Sequence, residues 1–221
     1  MTLIISKPEI APANNVVLSN ISWQTYQAML VDMGDRRSIR LSYDHGVLEI
    51  KMPSALHEVI NRLLARIVGV LAEELDLSLK EFGSVTLNSS DLKKGAEPDS
   101  SFYIQNSDRI QGTQIDLTVD PPPDLVIEID ITNSSRRSLA IYQQLGIPEI
   151  WRYANGIVKI YRLQNGKYQE NEFSGIFAML SAKVLDSFLQ MLDTEDSTSI
   201  VRAVRQWHYS QLPIRIKEDQ K

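Results

Sequence analysis

Two carboxylates lie two residues apart in an aliphatic stretch, and their type and spacing make them the first candidates for chemistry. Within residues 121–135, Glu128 and Asp130 alternate with isoleucines. In an extended chain this alternation places both acids on one face and the aliphatic side chains on the other. A buried carboxylate is costly unless a basic side chain or a metal ion pairs with it. We therefore predict a buried strand with a metal site at its end.

Asp99 is a third acid that can join this site. It follows Pro98 and precedes a strand-like run at residues 102–104. Considered alone, an acid after a proline is equally well explained as a turn residue. Together with Glu128, it would bring oxygen ligands from two strand ends to one place. Such ligands hold a hard divalent cation, which activates a water and neutralises the charge that develops on a phosphodiester during hydrolysis.

The composition narrows the choice of metal and of partners. The sequence contains no cysteine and only three histidines, which are spread along the chain. Disulfides, thiol nucleophiles and thiolate zinc ligands are therefore excluded, and the remaining oxygen ligands favour Mg²⁺ or Mn²⁺. The net charge of -5 is not that of a protein that coats nucleic acid nonspecifically, so any nucleic-acid binding requires a local basic patch.

The length and hydrophobic content predict a single well-buried core. With 221 residues, 43% hydrophobic and 23% charged, the chain has an ordinary globular composition. We expect an N-terminal arm at residues 1–21, a main domain at 22–194, and a C-terminal helix with a tail at 195–221. No apolar run approaches the roughly 18 residues of a membrane span, and the N-terminus lacks a signal-peptide pattern. We therefore expect a cytoplasmic protein.

A hairpin and a long helix are predicted ahead of Asp99. The hairpin strands are expected at residues 37–43 and 47–52. The helix begins at Ser54, and its apolar residues have the spacing of a core-facing stripe. The stripe consists of Leu56, Val59, Ile60, Leu63, Leu64, Ile67 and Leu71. His57 lies at the edge of the stripe, where both a structural, hydrogen-bonded histidine and a functional one fit the pattern.

Weaker signals flank these elements. Residues 1–20 lack a sustained period and predict an irregular lead-in. A strand is expected at residues 79–87, in which Gly83 indicates a bulge. After the acidic strand, a helix is expected to begin with Ser134 or Ser135 as its N-cap.

The C-terminal third is predicted to form three successive strands and two helices. The Asn-Gly steps at residues 155–156 and 165–166 are strong hairpin signals between alternating segments. Apolar residues at helical spacing predict helices within residues 177–192 and at about 196–210.

The helix after the acidic strand begins with Arg136 and Arg137. Its start lies at the same end of the fold as Glu128 and Asp130, so the two arginines could pair with carboxylates or with a phosphate. A solvated helix start explains them equally well.

Four segments of the sequence, taken in order, resemble one protein family. They are GVLEIKMPSALHEVINRLL, KKGAEPDSSFYI, PDLVIEIDI and YQQLGIPEIW. Over roughly residues 22–190 the chain resembles the Uma2 family, formerly DUF820, which is abundant in cyanobacteria and belongs to the PD-(D/E)XK restriction-endonuclease-like superfamily. The resemblance implies a three-layer α/β fold with a central mixed β-sheet flanked by helices, an N-terminal hairpin and a C-terminal helix. It also implies a Mg²⁺-dependent endonuclease that acts on DNA.

The resemblance also implies roles for individual residues. Asp99 of the EPD motif and Glu128 correspond to the family's metal ligands. Asp130 occupies the third motif position, where the superfamily most often has lysine. Relatives often have a lysine early in the following helix instead, and that position is Ser138 here.

Other cations must therefore be considered beside the acids. Arg137 or Arg136 could supply the charge, and Lys94 is a more distant candidate. Arginine stays protonated, so it can stabilise negative charge but cannot exchange protons as lysine can. His57 and Glu97 complete the set of supporting residues.

Two functions follow as hypotheses. The first is a Mg²⁺- or Mn²⁺-dependent endonuclease that hydrolyses DNA phosphodiester bonds as a homodimer, since double-strand cleavage favours two sites related by a twofold axis. The alternative is a catalytically impaired nuclease-fold protein that binds nucleic acid or protein. The missing motif lysine and the acidic net charge motivate this alternative.

Overall fold

The computed structural model describes residues 15–34, 38–131 and 136–212, apart from the side chain of Arg136. Within these ranges the chain forms five α-helices and two β-sheets. The elements are β1 Asn15–Leu18, α1 Trp23–Met33, β2 Arg40–Asp44, β3 Val47–Lys51, α2 Ala55–Glu74, β4 Lys80–Gly83, β5 Leu87–Ser89, β6 Lys94–Ala96, β7 Ser100–Tyr103, β8 Leu125–Asp130, α3 Arg136–Leu145, β9 Glu149–Ala154, β10 Ile157–Gln164, β11 Lys167–Asn171, α4 Ala182–Gln190 and α5 Ser197–Gln211. None of these helices is long and apolar enough to cross a membrane. The predicted N-caps Ser134 and Ser135 lie outside the described residues.

The larger sheet is mixed and has the strand order β11-β10-β9-β8-β7-β4. Its central strands β8 and β9 run parallel, and α3 forms the crossover between them, whereas its other neighbouring strands are antiparallel. The second sheet is antiparallel throughout and has the order β1-β3-β2-β6-β5. The predicted α/β fold with a central mixed sheet is thus confirmed, with an additional sheet built around the N-terminal hairpin.

Strand β8 lies in the middle of three layers. The side chains of Leu125, Ile127 and Ile129 pack into the main core with α2, α4 and α5. On the opposite face Val126 packs into a second core that contains residues of α3, β5 and β6. The alternation seen in the sequence therefore separates two packed faces, and all six residues of β8 are buried. A strand buried on both faces leaves its acids dependent on partners inside the protein.

Helix α2 is the longest helix and begins as predicted. Ser54 is its N-cap, and the Ser54 hydroxyl accepts a hydrogen bond from the backbone N–H of His57. The predicted stripe is correct from Ile60 onward, but Leu56 and Val59 are 38% and 48% exposed. They lie in the first turns of the helix, before the core contacts begin.

The predicted hairpins are all present. The N-terminal hairpin consists of β2 and β3, and the two Asn-Gly steps join β9 to β10 and β10 to β11. Asn155, Gly156, Asn165 and Gly166 all have positive φ, as the tight hairpin turn requires.

Two stretches differ from the sequence prediction. Residues 15–18 form the edge strand β1, which pairs with β3, although we predicted an irregular lead-in. Val16, Val17 and Leu18 are all exposed, so the strand lacks the burial alternation that makes a strand recognisable. The single strand predicted at residues 79–87 is wrong: β4 ends at Gly83 in the mixed sheet, and β5 begins at Leu87 in the second sheet. The predicted bulge is a register shift between Glu81 and Gly83, and Gly83 has a φ of 55°.

Gly95 in β6 provides a test of the second sheet. A Cβ atom at this position would collide with the side chains of Tyr26 and Asn88, which are hydrogen-bonded to each other at 2.8 Å. Because Tyr26 is fully buried, we expect Gly95→Ala to lower the free energy of unfolding by about 1–3 kcal/mol. Gly69 in α2 has open space around it, so Gly69→Ala should instead stabilise the protein by up to about 1 kcal/mol. Urea unfolding of both variants measures this difference, and equal effects would contradict the packing described.

Candidate active site

Asp99 and Glu128 lie together where β7 meets β8. The backbone N–H of Asp99 donates to Ile127 O at 3.1 Å, and Asp99 Oδ2 accepts from the backbone N–H of Ile129 at 2.7 Å. Asp99 is 2% exposed and Glu128 is 3% exposed. The antiparallel pairing of these strands therefore brings the two acids predicted as metal ligands into one buried cluster.

Lys51 is the cation beside these acids, and sequence reasoning missed it. Its Nζ lies 3.4 Å from Asp99 Oδ2 and 3.8 Å from Glu128 Oε2. It also donates a hydrogen bond to Ile129 O at 2.7 Å. Lys51 is the last residue of β3, so the N-terminal hairpin delivers it from the second sheet. The side chain is only 13% exposed.

The sequence carried one signal that could have identified Lys51. Glu49 and Lys51 lie two residues apart on β3 and therefore share a face of the strand. The Glu49 side chain is buried, at 6% exposure. Both side chains line a small cavity together with Glu128. An acid and a base on one strand face indicated a polar interior, but only the packing of the two sheets shows which acids the lysine meets.

The charges of the cluster are strongly coupled. Burial alone would lower the pKa of Lys51, but Asp99, Glu128 and Asp130 outweigh it and raise that pKa above its usual value. Burial would likewise raise the pKa of Asp99, but the charge of Lys51 and the contact with His57 hold it below its usual value. For Glu128, burial prevails and the pKa rises to about 8. Without a bound ion, Lys51 therefore mainly balances Asp99.

Helix α2 fixes the position of Asp99. His57 Nε2 lies 2.9 Å from Asp99 Oδ2, and the histidine is 1% exposed. One turn later, Asn61 donates from its amide to Asp99 O at 3.1 Å and accepts from the Ser100 hydroxyl at 3.0 Å. The helix thus holds both the side chain and the backbone of Asp99.

Helix α3 fixes the position of Glu128. The buried hydroxyl of Tyr142 donates a hydrogen bond to Glu128 Oε1. Burial and the neighbouring Glu128 both raise the pKa of Tyr142, so this hydroxyl keeps its proton and remains a donor. Glu128 Oε2 is left facing Lys51.

Asp130 has a different partner. Its Oδ2 accepts a hydrogen bond from Arg152 Nη2 at 2.6 Å, and this ion pair is largely buried. Arg152 lies on β9, opposite Glu128 in the parallel register of β8 and β9. Asp130 is therefore neutralised from the neighbouring strand, at the position where the superfamily most often has lysine.

The remaining candidates lie outside this cluster or have other roles. Arg137 is exposed in the first turn of α3, and the side chain of Arg136 is not among those described. Lys94 is buried and pairs with Asp44. Glu97 is buried too, and its carboxylate accepts from Leu41 N at 2.8 Å and from the Thr86 hydroxyl at 2.6 Å.

The donor set fits a hard cation held by two carboxylates. Among the described residues no group of three or more histidines and acids is arranged to hold a metal. Asp99 Oδ1, however, is buried and has no hydrogen-bond partner within the part of the chain that the structure describes, and a buried carboxylate oxygen normally has one. Mg²⁺ is commonly bound through one or two carboxylates while it keeps several waters. Asp99 Oδ1 and Glu128 Oε2 are the atoms that could serve such an ion.

The fold is similar to that of a protein of known structure. Among solved structures, a protein from Anabaena variabilis described as "a putative nuclease belonging to DUF820" superimposes with a TM-score of 0.53 and 17% identity. The match covers 76% of this chain and 98% of that chain. At this identity the likeness establishes the fold.

A family match places the chain more closely. Residues 23–193 match the model of the Uma2 family, which is described as "Putative restriction endonuclease". The chain therefore belongs to the Uma2 family, as the sequence segments indicated. A comparison with curated proteins found no match.

Replacing Lys51 tests the electrostatic account of the cluster. Lys51→Met leaves Asp99 and Glu128 buried without their cation, so we expect it to lower the free energy of unfolding by about 3 kcal/mol at pH 8. Without the lysine, the pKa values of the buried acids in the folded state should rise above those in the unfolded chain. The free energy of unfolding then falls as pH rises and these acids ionise. The loss should therefore be smaller at pH 5 than at pH 8 in urea unfolding experiments.

Lys159 offers a matched control on β10. Its ammonium lies 2.8 Å from Glu170, but that pair is exposed, and such pairs contribute at most about 1 kcal/mol. Lys159→Met should therefore have a small effect at both pH values. Equal losses in the two variants would contradict the role of Lys51.

Proposed function

We propose that this protein is a divalent-metal-dependent endonuclease that hydrolyses phosphodiester bonds in DNA. The observation that carries the proposal is the buried cluster of Asp99, Glu128 and Lys51. Two carboxylates and a lysine are the groups that phosphodiester hydrolysis requires: ligands for a metal ion and a cation for the developing charge. Membership of a family described as "Putative restriction endonuclease" supports the same reaction.

Asp99 and Glu128 would hold Mg²⁺ or Mn²⁺ in this proposal. When bound, the ion polarises the phosphate and lowers the pKa of a coordinated water. The protein's own contribution is to keep the carboxylates in place: His57 and Asn61 orient Asp99, and Tyr142 orients Glu128. Supporting contacts of this kind commonly change metal affinity or activity by about 10–100-fold when they are removed.

Lys51 is the cation of the reaction in this proposal. Its ammonium carries three N–H donors on a flexible stem, of which one donates to Ile129 O and another to Asp99 Oδ2 at 3.4 Å. The charge lies beside the carboxylates, where a scissile phosphate would lie next to the metal. Lys51 can thus orient the attacking water and stabilise the pentavalent phosphate. Asp130, paired with Arg152, supports β8 rather than the substrate.

A nuclease-fold module that binds without cleaving is the alternative. The arguments for it were the lysine missing from the positions of Asp130 and Ser138 and the acidic net charge. Lys51 answers the first argument, because it provides a cation at the same acids. We therefore prefer the enzyme.

We also expect a cytoplasmic homodimer, because double-strand cleavage favours two sites related by a twofold axis. The mass in solution, measured by light scattering, tests the dimer.

A plasmid cleavage assay tests the proposed activity. Wild-type protein should cleave DNA with Mg²⁺ or Mn²⁺ and lose this activity in EDTA. Asp99→Asn and Glu128→Gln should each lower the rate at least about 100-fold, and Lys51→Ala by about 100–1000-fold, because each removes a group that acts on the transition state. Lys159→Ala should cleave like wild type. Cleavage that survives in both Asp99→Asn and Glu128→Gln would rule out this site.

Glu128 should also limit stability in the absence of metal. Its pKa is raised to about 8 in the folded state, above the pKa it has in the unfolded chain. The free energy of unfolding therefore falls as pH rises between these two pKa values. Glutamine keeps the acceptor for Tyr142 but carries no charge. We expect Glu128→Gln in EDTA to be about 2 kcal/mol more stable than wild type at pH 9 and closer to it at pH 5. Thermal unfolding at the two pH values measures this, and a variant that is less stable at pH 9 would contradict it.

A further inference from the structure

Arg40, the first residue of β2, lies where three clefts meet. It lines the small cavity that contains Lys51 and Glu128. It also lines an open cleft of about 430 Å³ that contains Asp99, and a second open cleft of about 540 Å³ on the side of Glu97. Arg40 therefore borders the cavities that contain the two acids of the candidate active site.

The guanidinium of Arg40 has unused donors. Its Nε is buried and has no hydrogen-bond partner in the described part of the chain. Its Nη1 makes only a long contact of 3.5 Å with the neighbouring carbonyl Ile39 O. Buried donors are normally satisfied, so an unpaired one beside an open cleft indicates an acceptor supplied by a ligand. A guanidinium presents its donors as a planar fork that matches the oxygens of a phosphate.

Two further arginines extend this basic surface along α2. Arg62 and Arg66 line the same 430 Å³ cleft as Arg40 and Asp99, and both are exposed. Four residues apart, they lie on one face of the helix, separated by about 6 Å along its axis. Glu58 and the exposed Glu81 also line the cleft. Glu58 lies 3.9 Å from Arg62 in an exposed pair, which solvent weakens.

We propose that Arg40, Arg62 and Arg66 bind the backbone phosphates of duplex DNA next to the scissile phosphate. The inference rests on the proposed function for the position of the scissile phosphate at Asp99 and Glu128. Arg40 holds the phosphate closest to the acids, and the two helix arginines hold phosphates farther along the strand. A net charge of -5 requires that binding depend on such a local patch.

DNA binding in EDTA tests the inference without cleavage. Fluorescence anisotropy with a labelled DNA duplex would be recorded over a series of NaCl concentrations for Arg40→Gln, Arg62→Gln and Arg66→Gln. Each variant should bind about tenfold more weakly than wild type at low salt, and the slope of log K against log salt should fall by about 1, because one phosphate contact is lost. Circular dichroism spectra identify any variant that does not fold.

Arg202→Gln is the matched control, since Arg202 is exposed on α5 and lines none of the three clefts. It should retain wild-type affinity and slope. Folded cleft variants that bind like Arg202→Gln overturn the inference, and so does wild-type protein that binds no duplex. If the wild type binds through these arginines but cleaves no DNA with Mg²⁺ or Mn²⁺, the proposed hydrolysis fails while the binding surface stands. If the wild type cleaves DNA while the cleft variants bind it normally, the proposed binding surface is wrong and the proposed hydrolysis stands.

Discussion

The contact of Lys51 with Asp99 and Glu128 is the interaction on which the site depends. Lys51 belongs to the sheet built around the N-terminal hairpin, whereas both acids belong to the mixed sheet. The ion pair therefore lies between two sheets and joins them at the same point where the chemistry is proposed. Two carboxylates cannot both be buried there with negative charge unless a cation is close. In the proposed function, the hairpin is consequently part of the active centre.

Burial of this cluster has a cost that the surrounding elements offset. Helix α2 brings His57 to Asp99, and α3 brings Tyr142 to Glu128, so each acid has its own supporting helix. Even so, the pKa of Glu128 stays raised, and Asp99 Oδ1 has no hydrogen-bond partner among the described residues. A protein selected for stability alone would satisfy these groups or replace them. Their persistence in a well-packed core is what a site prepared for a cation would show.

The sequence was sufficient to predict those elements that depend on local patterns. The hairpins, the long helix and the strand that carries Glu128 follow from periodicity and turn chemistry, and Asp99 follows from its place before a strand. Lys51 was missed because its role depends on how two sheets pack, which no local pattern encodes. The pairing of Asp130 with Arg152 depends likewise on the register between β8 and β9. Arg40 gave no signal at all, since an arginine at a strand start is ordinary until the clefts around it are known.

The position of Lys51 also explains how the chain departs from the superfamily motif. Asp130 stands at the usual lysine position. Because Arg152 already neutralises it, no second cation is needed there. Ser138, at the alternative position on α3, lines the small cavity that also contains Lys51 and Glu128. A lysine on that helix and a lysine on β3 would thus line the same cavity. The proposed chemistry requires a cation beside the two acids. In this fold, a residue of the second sheet can supply that cation as well as a residue of α3 can.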